Sequence, residues 1–199
     1  KGINVYLLML PFHYDRKPSN SLFSGEYFWS GDIDRSVLAF KQSLYDLYAL
    51  YKFIKSKSDL KLIISGFSMG GGITLTLACT VQLEGVFVIN PVSNITSLVW
   101  NSKLFSPVKK DFESSGLNYN SVKSRFQEFE PLDREHLSTP LNNIAIGSSI
   151  YDQINDPENY ELLINKWHMD NVLKYKAGHL NILRVPKLSN DIDKLYFNN

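Results

Sequence analysis

The sequence predicts an α/β protein, a mostly parallel sheet with helices on both faces, and three observations predict it. Short, continuously apolar runs lack polar alternation, as strands buried on both faces should. Between them lie segments whose apolar residues recur at three- and four-residue steps, the helical period. A glycine-rich break, Gly66-Phe67-Ser68-Met69-Gly70-Gly71-Gly72, separates one such run from one such helix.

In chain order, residues 3–10 read as a buried strand closed by Pro11, followed by a loop rich in Pro, Ser, Asn and Gly as far as about Asp34. From 37 to 54 the positions Val37, Phe40, Leu44, Leu47, Tyr48, Tyr51 and Ile54 share one helical face. Residues 60–64 form a second strand, and residues 73–82 a helix directly after the glycines. Residues 86–89 form a strand closed by Asn90-Pro91, and 141–146 another closed by Gly147. Between them, residues 93–139 hold Trp100, two prolines and mixed-charge helical patches, which predicts a small helical insertion. An acidic loop over 152–158, a helix to Trp167, a strand around 171–175, the Ala177-Gly178-His179-Leu180 turn and a last helix from about Lys187 complete the chain. Residues 1–199 are expected to form a single domain around one core.

With 44% hydrophobic residues, 21 basic and 20 acidic side chains and a formal charge of +1, the chain lacks the electrostatic footprint of a nucleic-acid binder. Its single cysteine, Cys79, cannot close an internal disulfide, and no apolar run approaches the length of a membrane span. A cytoplasmic setting is the expectation. The sequence begins at Lys1 without a methionine, which leads one to expect residues missing upstream.

A serine becomes a nucleophile when its hydroxyl sits beside a base and near donors that receive negative charge. A tight strand-to-helix turn provides this, with Gly66 and Gly70 expected where a side chain would collide with the neighbouring strand and helix. Ser68 is then held strained at the tip, and the Met69 amide at the helix start can face an oxyanion. The five-residue string alone arises by chance in roughly one chain in fifteen of this length, so its setting between strand and helix carries the inference. A phosphate loop would need Lys and Ser or Thr after the last glycine, whereas Ile73-Thr74 follows Gly72.

His179 is the candidate base, in a turn after the last strand. His13, which follows a strand end but precedes the serine, is assigned to lining or loop-shaping, and His136 and His168 to structural or solvated roles. The acid that orients the base is Asp152, in the loop after the strand preceding it, with Asp156 as the alternative. Phe12, His13, Phe67 and Trp100 are candidate substrate contacts. Phe23, Tyr27, Phe28, Trp29, Leu104 and Phe105 either wall an apolar pocket or are plain core.

With strand, elbow, acid loop and histidine turn in this order, the sequence resembles the α/β-hydrolase superfamily over nearly its whole length. The segment 10–18, Leu-Pro-Phe-His-Tyr-Asp-Arg-Lys-Pro, is similar to a loop of poorly characterised prokaryotic members, where it follows the fourth strand of the full fold. That alignment makes residues 3–10 the fourth strand and leaves the first three without a counterpart. It also implies that the usual second oxyanion donor is lacking unless an amide near residues 12–14 substitutes. The expected function is a serine hydrolase acting on an ester-like, small-molecule acyl substrate, with no metal or organic cofactor implied. The alternatives are a peptidase or acyltransferase with the same three residues, or a non-catalytic binding or scaffold protein that kept the fold.

Overall fold

The structure, a computed structural model, describes residues 2–197. Four strands, β1 (Ile64–Phe67), β2 (Val86–Ile89), β3 (Ile144–Ser149) and β4 (Val172–Tyr175), form one sheet in sequence order. Every neighbouring pair is parallel, with Phe67 opposite Ile89, Ile89 opposite Gly147 and Gly147 opposite Leu173. Parallel neighbours require crossover connections, and helices supply them. These are α2 (Met69–Thr80) after β1, the helices α3 (Ile95–Asn101), α4 (Ser106–Ser114) and α5 (Tyr119–Phe126) after β2, and α6 (Pro157–Trp167) after β3. A long α1 (Ile33–Lys55) precedes the sheet and α7 (Pro186–Tyr196) follows it.

Alternation along the strands sorts these helices onto two faces. Val86, Val88, Ile144 and Ile146 pack with Leu75, Leu77 and Ala78 of α2 and Leu163 and Trp167 of α6. Phe87, Ile89, Ala145 and Tyr175 point the other way, onto Leu188, Ile192 and Leu195 of α7. The predicted doubly covered sheet is therefore observed. The helical insertion builds a third cluster, in which Phe112, Val122 and Phe126 meet Phe40 of α1 and Ile73 of α2. Buried Glu130 ties it down, accepting from the Thr96 amide (2.7 Å) and hydroxyl (2.6 Å) while pairing with Lys123. Phe28 is fully buried, its ring edge-on to Trp29 and tilted against Phe40, so Phe28 is core rather than pocket wall, whereas Phe23 and Leu104 are 62% and 63% exposed.

Several predicted boundaries are corrected. Residues 3–10 form no strand: they join no ladder among the described residues, and Val5 and Leu7 are 76% and 88% exposed. An apolar run becomes a strand only where a neighbour offers its edge. The expected fourth strand is thus outside the sheet. β1 begins at Ile64 rather than Leu60, because the Leu62 amide donates to the Glu84 carboxylate (2.7 Å) instead of to a ladder. β3 begins at Ile144 and runs through Gly147, since residues 141–143 turn on the Pro140 carbonyl.

The glycines divide differently from expectation. A Cβ on Gly66 would overlap the Gly70 carbonyl, and one on Gly72 would overlap the Val92 carbonyl. A Cβ on Gly70 would meet nothing within 4 Å. The second close approach in this turn is therefore at Gly72, against the chain leaving β2. Gly66→Ala and Gly72→Ala should each destabilise the protein by roughly 1–3 kcal/mol in urea unfolding. Gly70→Ala, in the first turn of α2, should be neutral or stabilising by up to about 1 kcal/mol. Equal damage at Gly66 and Gly70 would contradict this account.

Candidate active site

Ser68 stands between β1 and α2 with φ 52° and ψ −114°, a region that L-residues occupy only when the surroundings impose it. The surroundings here are three backbone bonds. The Ser68 N–H donates to the Ile89 carbonyl (2.8 Å), and its own carbonyl accepts from Gly72 (3.1 Å) and Val92 (3.0 Å). The side chain is left uncommitted to the backbone and only half-buried. As the first residue of α2, Met69 has an amide with no acceptor inside the helix.

His179 lies in the turn after β4, and its Nε2 is 3.0 Å from Ser68 Oγ. Its Nδ1 is 2.7 Å from Asp152 Oδ2. Since the carboxylate can only accept, Nδ1 carries the proton and Nε2 faces the hydroxyl as an acceptor. In that state the imidazole can take the Ser68 proton, and Asp152 can stabilise the resulting cation. The structure thus brings Ser68, His179 and Asp152 together from three separate loops. Asp156, the alternative acid, instead caps α6 by accepting from the Glu158 amide (3.0 Å).

Asp152 is buried, with four donors on its two oxygens. Oδ1 accepts from the amides of Ile154 (2.9 Å) and Asn155 (3.0 Å), while Oδ2 accepts from His179 and from the Tyr160 hydroxyl (2.6 Å). Burial alone would raise its pKa, but the bonds from His179, Tyr160 and Ile154 outweigh it and hold the carboxyl below its ordinary value.

The turn carrying His179 is pinned by Asn90, a fully buried residue at φ 44° just beyond β2. Its Nδ2 donates to the His179 carbonyl (3.0 Å) and Ser149 Oγ (2.9 Å), its Oδ1 accepts from the Ser149 amide (2.8 Å), and its carbonyl accepts from Asn155 (2.8 Å). Sequence reasoning treated Asn90-Pro91 only as the end of a strand. The missed signal is the asparagine itself, the residue type besides glycine that best tolerates a left-handed turn.

Of the other predicted site residues, Phe67 adjoins His179, closing β1 with its ring 5.0 Å from the His179 ring. Phe12, at φ 63°, packs edge-on to Tyr27 and against the same apolar cluster as Met69. His13 Nδ1 donates to the Pro11 carbonyl (2.8 Å), a bond that shapes the loop. Trp100 lies in the insertion between Tyr119 and the Lys109 ammonium. His136 and His168 are exposed, and His168 ends α6 in the left-handed conformation. An open cleft of about 630 Å³, lined by Cys79, Glu128, Arg134 and His136, includes none of Ser68, Asp152 or His179.

A parallel sheet with a strained serine at the end of one strand, an acid after a later strand and a histidine after the next is the arrangement that defines one fold. The chain has the α/β-hydrolase fold. Solved structures with this fold superpose on it. A puromycin-hydrolysing peptidase from Mycobacterium tuberculosis matches with a TM-score of 0.54 at 15% identity, over 67% of this chain and 21% of its own. A thioesterase-like protein from Silicibacter matches at 0.50 and 12% identity, over 73% and 53%. A metagenome-derived lipolytic enzyme matches at 0.50 and 16% identity, over 85% and 78%. The α/β-hydrolase core present here therefore spans about a fifth of the peptidase and about half of the thioesterase-like protein. No protein-family model and no curated protein sequence matches the chain. Among the described residues of this hydrolase fold, no helix is long and apolar enough to cross a membrane.

Asn90→Ala would strand the Ser149 amide and the His179 carbonyl in a buried site, which should lower stability by at least about 2 kcal/mol in denaturant unfolding. Asn155→Ala removes one of these bonds and should cost less. A stable Asn90→Ala protein would contradict the role given to this network.

Proposed function

We propose that the chain is a serine hydrolase that transfers the acyl group of a small ester-like substrate to water. What carries the proposal is the continuous line from Ser68 Oγ to His179 Nε2 (3.0 Å) and from His179 Nδ1 to Asp152 (2.7 Å), built on a strained elbow. Ser68 attacks the carbonyl carbon as His179 accepts its proton, and His179 returns that proton to the departing alcohol oxygen. Water then attacks the acyl-enzyme with His179 again as base, releasing the acid and restoring Ser68.

Negative charge on the substrate oxygen needs donors. The Met69 amide, reinforced by the positive end of α2, is one. Among the amides of residues 12–14, His13 donates to the Leu10 carbonyl (3.2 Å) and Tyr14 to Ser24 Oγ (3.1 Å), which leaves Phe12 as the uncommitted one. Phe12 and Phe67 supply apolar surface for the acyl group.

Hydrolysis of p-nitrophenyl acetate and butyrate tests the proposal. Ser68→Ala should reduce turnover to background, and Asp152→Asn should lower kcat by roughly 10⁴-fold through the wrong imidazole tautomer. Turnover unchanged in Ser68→Ala would refute it.

A further inference from the structure

Tyr160, on the second turn of α6, is not one of the three residues of the proposed mechanism, yet it touches the acid of that mechanism directly. Its ring is buried and its hydroxyl donates to Asp152 Oδ2 at 2.6 Å, the same oxygen that lies 2.7 Å from His179 Nδ1. The opposite oxygen is filled by the amides of Ile154 and Asn155. Each carboxylate oxygen thus accepts two donors, and the tyrosine and the histidine share the negative charge of one atom.

Two consequences follow from this sharing. With Oδ1 fixed by two amides and Oδ2 by a phenol on a rigid helix, the carboxylate cannot rotate when His179 moves. The phenol also draws charge from the oxygen facing the imidazole, so the cation formed on His179 is held less tightly than by a carboxylate bonded to histidine alone. We propose that Tyr160 is a positioning residue for His179: it holds Asp152 in the orientation that receives the Nδ1 proton and takes part of the charge of the oxygen that faces the imidazole. The proposal rests on the assignment of His179 as base.

Asp156, at the start of α6, acts electrostatically on Tyr160. Burial, together with the Asp152 charge, pushes the Tyr160 phenol well above its ordinary pKa, so it remains a donor throughout the working range. The elbow contributes the neutral Ser68 hydroxyl and the Phe67 ring, and Lys176, on the turn after β4, is exposed to solvent. None of these takes Tyr160's place on Oδ2.

The test is the protonation curve of the His179 ring, followed by NMR in the full chain and assigned with His179→Gln. In Tyr160→Phe the ring packing is kept and the donor lost, so the His179 pKa should rise by at least about 0.5 pH unit, roughly a threefold change in proton affinity. The acid limb of kcat/KM for p-nitrophenyl acetate should move by the same amount. Should Tyr160→Phe fold poorly, 3-fluorotyrosine placed at 160 keeps the ring and strengthens the donor, and the curve should move down instead. An unmoved or oppositely moved curve overturns the proposal, even if Tyr160→Phe lowers the rate or the stability. Because the titration reads a proton and not turnover, it decides the role of Tyr160 even if the chain hydrolyses nothing, the outcome that would count against the hydrolase assignment instead.

Discussion

The backbone of Ser68 is the constraint on which the rest of the site depends. One N–H and one carbonyl, engaged with Ile89, Gly72 and Val92, leave the chain no relaxed path from β1 into α2. The strain of φ 52° is sustained because the strands and the helix are packed on both sides of it. Gly66 and Gly72 make that packing possible by letting backbone approach backbone where any Cβ would overlap a carbonyl. The reward is geometric: a hydroxyl free of local bonds, at the carboxyl end of a parallel strand, with the start of a helix beneath it.

The remaining parts reach that point by the same device repeated on neighbouring strands. β2 ends in a second left-handed residue, Asn90, whose side chain spans the gap to the ends of β3 and β4 and fastens the His179 turn. β3 ends before Asp152, whose loop is closed by its own amides and by Tyr160 from α6. Residues separated by 111 positions in sequence therefore meet at 3.0 Å through short turns on a rigid sheet, not through one long flexible loop. Such polar networks gain from every buried member that has a partner; Asn90 and Asp152 have theirs, while Asn155 Oδ1 is buried without one among the described residues.

Much of this was legible in the sequence. β2 was located to the residue, because Val86-Phe87-Val88-Ile89 is apolar at every position and ends abruptly at Asn90-Pro91. The order of Ser68, Asp152 and His179 could be read because each follows a strand end, and strand ends of a parallel sheet share one rim. The segment 3–10 was misread because composition tells whether a run would suit a strand, not whether a neighbouring edge exists to receive it. Gly147 was misread as a terminator because a glycine between Phe87 and Tyr175 looks, in one dimension, like any turn glycine. Asn90 and Tyr160 were missed for a related reason. Their roles lie in contacts across the fold, 89 residues away in the case of Asn90 and His179, and nothing local to either residue announces them.

The central claim is that the Ser68 hydroxyl is activated by His179. Treatment with a fluorophosphonate followed by peptide mass spectrometry tests it most directly. A single adduct on Ser68 that disappears in His179→Ala is the result this account predicts; no adduct, or an adduct on Ser68 formed equally fast without the imidazole, would contradict it.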